Sequence, residues 1–397
     1  MKDILIVAHF TQIPGELGNG RFHYIAENLD KQKVDVEVIT SSFSHRTKKQ
    51  RNITKDQQES ISYKLTMLKE PGYRKNVSIK RFYSHYIMGK SLKAYLKKRK
   101  KPDVIYCSVP SLDVAKVAAE YAKKNNIRFI IDIQDLWPEA FKMIINLPVL
   151  GNAIFYPMMK KANYIYAAAD GINAVSETYL NSGLSVNSKS LEINCVYLGT
   201  DLFYFDSVQE NRLNKIDGKI TLVYIGTLGN SYDIKGVIDA LVLLMNNGIK
   251  DISFIVMGDG PLKDQFEEYA VSKNVEVIFT GRLNYDAMVG VLKSCDIAIN
   301  PIKSNSAASI INKVGDYAAA GLPVINTQES HEYQNLLKKY NAGISCENGN
   351  VDKLAECINL LYKDKELRNI LGRNSRILAE ERFDRSKTYS KLISNLL

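Results

Sequence analysis

Lys313 and Asp316 lie close together in Ser309-Ile310-Ile311-Asn312-Lys313-Val314-Gly315-Asp316-Tyr317. This stretch reads as loop, then helix, then a glycine cap at Gly321 before the run Pro323–Ile325. A lysine in the first turn of a helix can hold a phosphate. A carboxylate one turn further on can accept both hydroxyls of a ribose, as acidic residues do in dinucleotide sites. Three other segments place glycine just past an apolar run: Gly226-Thr227-Leu228-Gly229, Gly258-Asp259-Gly260-Pro261 and Gly281-Arg282-Leu283. Glycine there lets backbone approach a ligand closely, and the repetition argues against coincidence. Lys235 follows near a helix start, where a cation opposes the helix dipole. An anion at the same place would explain it, and so would a simple solvated lysine.

The first half offers two more groups. Gly18, Gly20 and Arg21 sit where a strand ending at Ala8-His9 turns towards a helix. A helix N-terminus favours an anion, although a plain tight turn fits these glycines equally well. Asp132-Ile133-Gln134-Asp135-Leu136-Trp137-Pro138-Glu139 follows another apolar strand. Gln134 and Asp135 are therefore candidates for holding acceptor hydroxyls, with Asp135 as a helix N-cap the competing reading.

The elements that must position these residues alternate. Strands are expected at Ile4–Ala8, Val34–Ile39, Val104–Cys107, Phe129–Ile133, Gly171–Val175 and Ile193–Val196, with helical stretches such as Leu112–Asn125 between most of them. The second half repeats the scheme with strands at Thr221–Ile225, Ile252–Met257, Val275–Phe279, Ile297–Asn300 and Pro323–Ile325. Strands alternating with helices imply parallel sheets of α/β class, and two sets imply two doubly wound domains. The 397 residues are also too many for one ordinary core. We expect a first domain over 1–201, a linker over 202–218, a second domain over 219–383, and a terminal helix over 384–397 packing back on the first. Open parallel sheets bind ligands at the carboxyl ends of their strands, so two facing sheets would put the site in a cleft between domains.

Composition narrows the classes. No run of 18 uncharged apolar residues occurs, and the opening apolar run is too short for a signal peptide. The 5 cysteines are scattered and form no C-x-x-C, which fits reduced thiols and a cytoplasmic setting. No ligand spacing for zinc and no Asp-x-Asp motif appears, so neither a metal nor another cofactor is expected. Residues 51–100 hold 14 Lys/Arg against 3 Asp/Glu, which a solvated basic face would also explain, and within 79–101 Phe82, Tyr83, Tyr86, Ile87 and Leu92 stand beside the basic residues. A basic segment with aromatic anchors suits a helix lying on anionic lipid, and no nucleic-acid-binding signature competes with that reading.

These segments together resemble glycosyltransferase family 4, retaining enzymes of the two-Rossmann GT-B architecture. The likeness rests on Asp135-Leu136-Trp137-Pro138-Glu139, Ala174-Val175-Ser176, Tyr197-Leu198-Gly199-Thr200-Asp201, Gly258-Asp259-Gly260-Pro261, Cys295-Asp296 to Pro301, and Asn312 to Ile325. The Asp-Leu-Trp-Pro-Glu and Asn-Lys pieces are most similar to the branch that builds bacterial capsules, O-antigens and lipopolysaccharide. The resemblance implies that Gly18, Gly20, Arg21 and Gln134 serve the acceptor. Lys235 and Lys313 would face the diphosphate, with Gly226, Thr227, Gly258 and Asn312 beside the donor. Arg282 and Leu283 would lie by the base, and Asp316 on the ribose. Asp135 would act at the reacting centre.

Three departures stand out, one being the lack of the histidine that many members carry near Gln134. The family's Glu-x7-Glu pair is replaced by Ala308 and Asp316, and its frequent arginine after the Gly226-type glycine is Thr227. The expected reaction is transfer of a hexosyl or N-acetylhexosaminyl group from a nucleotide sugar, UDP-linked by expectation. The acceptor would be a polyprenyl-diphosphate-linked or other glycan at the inner membrane face. A nucleotide-sugar 2-epimerase and a non-catalytic nucleotide-sugar-binding subunit remain as alternatives.

Overall fold

The computed structural model describes the chain apart from residues 17–19, 145–150 and 305–309. It forms two compact units, Met1–Val196 with Tyr389–Leu397, and Tyr197–Thr388.

The first unit carries β1 (Lys2–Val7), β2 (Val34–Ser41), the hairpin β3 (Phe43–Ser44) and β4 (Lys49–Gln50), β5 (Lys64–Leu68), β6 (Val104–Val109), β7 (Arg128–Ile133), β8 (Gly171–Ala174) and β9 (Glu192–Cys195). Its seven-stranded sheet runs β5-β2-β1-β6-β7-β8-β9, with every pairing parallel. The central strand β6 is buried at every position, as a parallel strand covered on both faces must be. Its sequence is accordingly almost continuously apolar. Edge strand β5 escaped the sequence reading because Lys64-Leu65-Thr66-Met67-Leu68 mixes exposed and buried positions instead of forming an apolar run.

The second unit carries β10 (Ile220–Ile225), β11 (Ile252–Met257), β12 (Val277–Gly281), β13 (Ile297–Asn300), β14 (Val324–Asn326) and β15 (Gly343–Ser345). They form a parallel sheet in the order β12-β11-β10-β13-β14-β15. The strand order reverses direction at β10 in this sheet and at β1 in the first. These are the switch points beside which open sheets leave room for ligands.

Two expectations need correction. Residues 202–218 are not a free linker but part of the second unit. Helix Leu202–Ser207 opens the stretch, Asn211 N–H donates to Gly290 O at 2.8 Å, and Lys215 Nζ donates to Ser294 O at 2.7 Å. The terminal segment is not one helix. Residues up to Thr388 belong to the second unit, and the short helices Arg385–Thr388 and Ser390–Ser394 are separated at Tyr389. Beyond that break, Tyr389, Leu392 and Leu396 are completely buried among Ile4, Ile6, Phe22, Ile25 and Tyr106 of the first unit.

Candidate functional site

At the carboxyl end of β10 the chain turns at Gly226, whose φ of 144° lies in the region that favours glycine. The loop after β11 presses against this turn. A Cβ added at Gly258 would lie 1.8 Å from Gly226 O, and one at Gly260 would lie 2.3 Å from Leu228 O. Only glycine allows the two loops to lie this close.

Lys313 enters the same place from the first turn of helix Lys313–Ala319, with its Nζ 3.3 Å from where a Gly226 Cβ would be. The ammonium rests 4.0 Å from the centre of the Tyr224 ring and 4.1 Å from that of Tyr232. It is buried and has no hydrogen-bond partner among the described residues. Burial pushes its pKa well below the ordinary lysine value. A ring face is a weak substitute for the hydration a lysine gives up on burial. The site thus holds an unmet demand for negative charge.

Asp316, one turn along, lies apart from Lys313 in its bonding. Its Oδ1 accepts from Thr200 Oγ1 at 2.9 Å and from Tyr285 OH at 3.0 Å. Burial raises its pKa, and those two hydroxyls together with Arg385 oppose the rise. Asn312 is exposed and makes no capping bond, and Thr227, Arg282 and Leu283 lie on the loops after β10 and β12, with Thr227 and Arg282 exposed. Lys235 is exposed, and the described contacts do not bring it to Lys313. Its Nζ lies 4.9 Å from the centre of the Tyr269 ring instead. Ala308 and Gly18 fall outside the described residues.

In the first unit, Arg21 is not a ligand-facing cation. Its guanidinium is buried and forms a two-pronged pair with Asp132 at 2.7 and 3.2 Å, and it also donates to Val196 O at 3.0 Å. Tyr106 OH donates to the same carboxylate at 2.6 Å. This network fixes the helix after Gly20 against β6 and β7, so its work is structural. Gly20 has φ 68° and caps that helix. Asp135 caps no helix. It accepts from Leu136 N–H at 3.0 Å and Trp137 Nε1 at 3.2 Å, and burial raises its pKa. Gln134 leaves its side-chain nitrogen buried without a partner.

The sequence singled out Lys313 and the turn glycines, which the structure brings together, but gave no role to Tyr224 and Tyr232. The available signal was Tyr224, two residues before the turn glycine, on an otherwise aliphatic strand.

Known proteins resemble parts of the chain. Residues 206–377 match glycosyl transferases group 1. MJ1069 of Methanocaldococcus jannaschii, an uncharacterized glycosyltransferase, is 24% identical over 255 residues, 62% of this chain and 61% of that protein. WcaI of Escherichia coli K12, named for colanic acid biosynthesis, is 22% identical over 247 residues, 59% of each chain. The matched stretch thus spans about three fifths of both relatives. Among solved structures, Anabaena HepE in complex with UDP resembles the chain with a TM-score of 0.71 at 14% identity, over 100% of this chain and 99% of that one. WaaG, a glycosyltransferase involved in lipopolysaccharide biosynthesis, gives 0.67 at 14% identity over 99% of both chains. The chain therefore has the GT-B fold, with one parallel sheet in each of its two units, and its residues 206–377 are similar to the glycosyl transferases group 1 family.

Proposed function

We propose that this protein is a retaining glycosyltransferase that takes its sugar from a nucleoside diphosphate donor, UDP-linked as in the complexes of HepE. The observation that carries the reading is the buried, unpartnered ammonium of Lys313 at the glycine turn of β10. A diphosphate placed there gains a charge-assisted bond and close backbone on two sides. The same cation stabilises the negative charge that grows on the leaving diphosphate as the glycosidic bond breaks. The leaving phosphate also takes the acceptor proton during same-face attack, so no carboxylate nucleophile is needed. Asp316 Oδ2 serves the ribose. Lys235 joins the diphosphate after leaving the Tyr269 ring, and Arg282 and Leu283 flank the base.

The first unit serves the acceptor, a lipid-linked glycan of surface-polysaccharide synthesis, through Gln134 and Asp135. The membrane contact runs along helix Ile79–Lys98. There Ile79, Tyr83 and Tyr86 are exposed at i, i+4 and i+7, and Lys90, Lys93 and Lys97 are also exposed further along the helix. No helix among the described residues is long and apolar enough to cross a membrane, which leaves a surface helix to make the contact.

The decisive experiment incubates the protein with a panel of nucleotide sugars, with and without a membrane-lipid extract, and follows products by NMR. Transfer with retained anomeric configuration, only when extract is present, is the expected outcome. Epimerised donor without extract would establish the epimerase instead, and binding with no turnover the non-catalytic subunit.

A further inference from the structure

The carboxyl ends of β1, β6 and β7 in the first unit carry a second concentration of unmet polarity. Arg81, on helix Ile79–Lys98, is enclosed by rings. Its guanidinium carbon lies 4.7 Å from the centre of Trp137, 5.6 Å from Tyr73 and 5.7 Å from Phe141. Its Nη1 donates to Asn76 O at 2.7 Å, while Nε is buried with no partner among the described residues. Lys48 approaches from the hairpin, 4.8 Å from the same Tyr73 ring, and donates to Asn76 Oδ1 at 2.6 Å.

Neither cation forms an ion pair among the described residues. The nearby carboxylates are already used. Glu70 accepts from His9 at 2.7 Å and from Ser41 and Ser84 at 2.5 Å each, and Asp135 is held by Leu136 and Trp137. Burial and the neighbouring Arg81 push the Lys48 amine down to about 8, as expected of a partly buried amine close to a second cation.

The neighbouring groups are short of acceptors too. Buried and without a partner among the described residues are His85 Nε2, stacked on Trp137 at 5.6 Å, the hydroxyl of Ser111 just past β6, and the amide nitrogen of Gln134 just past β7. The His85 side chain is 1% exposed. Two cations and several unused donors at one end of a parallel sheet describe a site for an anion. A phosphoryl group, with close to two negative charges and three acceptor oxygens, matches both cations. A carboxylate would leave one of them uncompensated.

We propose that Arg81 and Lys48 form a subsite for a phosphoryl group carried by the acceptor, completed by donors from Ser111 and Gln134. The proposal deepens the glycosyltransferase reading and rests on it for the word acceptor. It restricts acceptors to those with a phosphate or diphosphate close to the sugar that is extended. The phosphate is not consumed. It anchors the acceptor while a hydroxyl elsewhere on it reacts.

Trp137 is the chain's one tryptophan and touches Arg81, so its fluorescence reports this subsite alone. The full-length protein is titrated with inorganic pyrophosphate, glucose 1-phosphate, an isoprenyl diphosphate, and acetate as a monocarboxylate control. We expect a saturable change with the phosphoryl probes and a much weaker one with acetate. The tighter of the sugar phosphate and the isoprenyl diphosphate identifies the carrier. Arg81→Gln and Lys48→Gln should each weaken binding by about tenfold or more, the loss of one charge-assisted bond, while Arg81→Lys recovers part of it. Lys313→Ala should leave the response unchanged.

No Trp137 response overturns the proposal. So does a response indifferent to both Gln variants, one that Lys313→Ala abolishes, or acetate binding as tight as pyrophosphate. Should Arg81→Gln unfold by circular dichroism, Lys48→Gln alone decides, since Lys48 is less buried than Arg81 and sits on the turn of the β3–β4 hairpin. Failure of the donor reading would appear separately, as absence of UDP binding in calorimetry while the Trp137 titration stands.

Discussion

On the proposed reading Lys313 gives up stability for binding, and that trade can be measured. Replacing it with methionine keeps the stem and removes an amine that burial leaves unsatisfied. Lys313→Met should therefore raise thermal stability by roughly 1–3 kcal/mol while weakening UDP binding at least about tenfold, where loss of a merely structural lysine would lower stability. The pH dependence has a definite sign. The folded pKa lies below that of the unfolded chain, so between the two the unfolded state holds more protons and stability rises with pH. The advantage of Lys313→Met should shrink as pH rises towards the ordinary lysine value. Binding of the diphosphate restores the charged form, so nucleotide binding should take up protons. Calorimetry in buffers of different ionisation enthalpy will show this, and zero uptake at neutral pH and above would remove Lys313 from the diphosphate. The residue type was legible in the sequence because Lys-x-x-Asp opens a helix after a strand. Its isolation was not, because that depends on Tyr224 and Tyr232, which are remote in the chain. Arg21 misled for the same reason. It follows a glycine at a turn, but its partner Asp132 is 111 positions away.

At the scale of elements, helix Ile79–Lys98 shows how far a pattern can be read. The basic, aromatic stretch promised one membrane-seeking surface, and the structure divides it. Met88, Leu92 and Leu96 are in the core, while Ile79, Tyr83 and Tyr86 are exposed. The helical period places such residues on different faces, but the sequence alone does not say which face the sheet covers. Arg99 also leaves the basic group. It pairs with Asp3 at 2.6 Å and Glu37 at 2.6 Å, with only 11% of its side chain exposed. Arg99→Gln should cost on the order of 3–5 kcal/mol of first-unit stability in denaturant titration, as removal of one partner from a buried ion pair does. Membrane attachment is then tested with Lys97, Lys98, Lys100 and Lys101 changed to Gln and Arg99 kept. Each surface lysine contributes about 1 kcal/mol near an anionic leaflet, so co-sedimentation with anionic vesicles should largely disappear in this variant and fall with salt in the parent. Equal sedimentation of variant and parent would mean that these lysines are only solvated. Strands buried on both faces were read within a residue or two at most ends. Edge strands β5 and β15 were missed because a half-covered or three-residue strand carries no apolar run.

At the scale of the molecule, the first unit is assembled from both ends of the sequence, residues 1–196 and 389–397, while the second is one continuous stretch. Tyr389, Leu392 and Leu396 fill its core, and the Tyr389 ring lies 4.8 Å from the Arg21 guanidinium. Leu392→Ala should remove about 2–5 kcal/mol from this unit, the usual cost of a large-to-small change in a core. Scanning calorimetry should show the loss in the transition of the first unit and not in that of the second. The interleaving also reverses the order in which a ribosome can finish the two parts. Domains generally fold as units as they emerge, N-terminal first. Here the nascent first unit must wait, with Ile4, Ile6 and Phe22 lacking their last neighbours, until residue 396 has been released. The second unit is complete at Thr388 and can close before it. Stalled chains ending near residue 388 should therefore show a protease-resistant second half attached to a protease-sensitive first half.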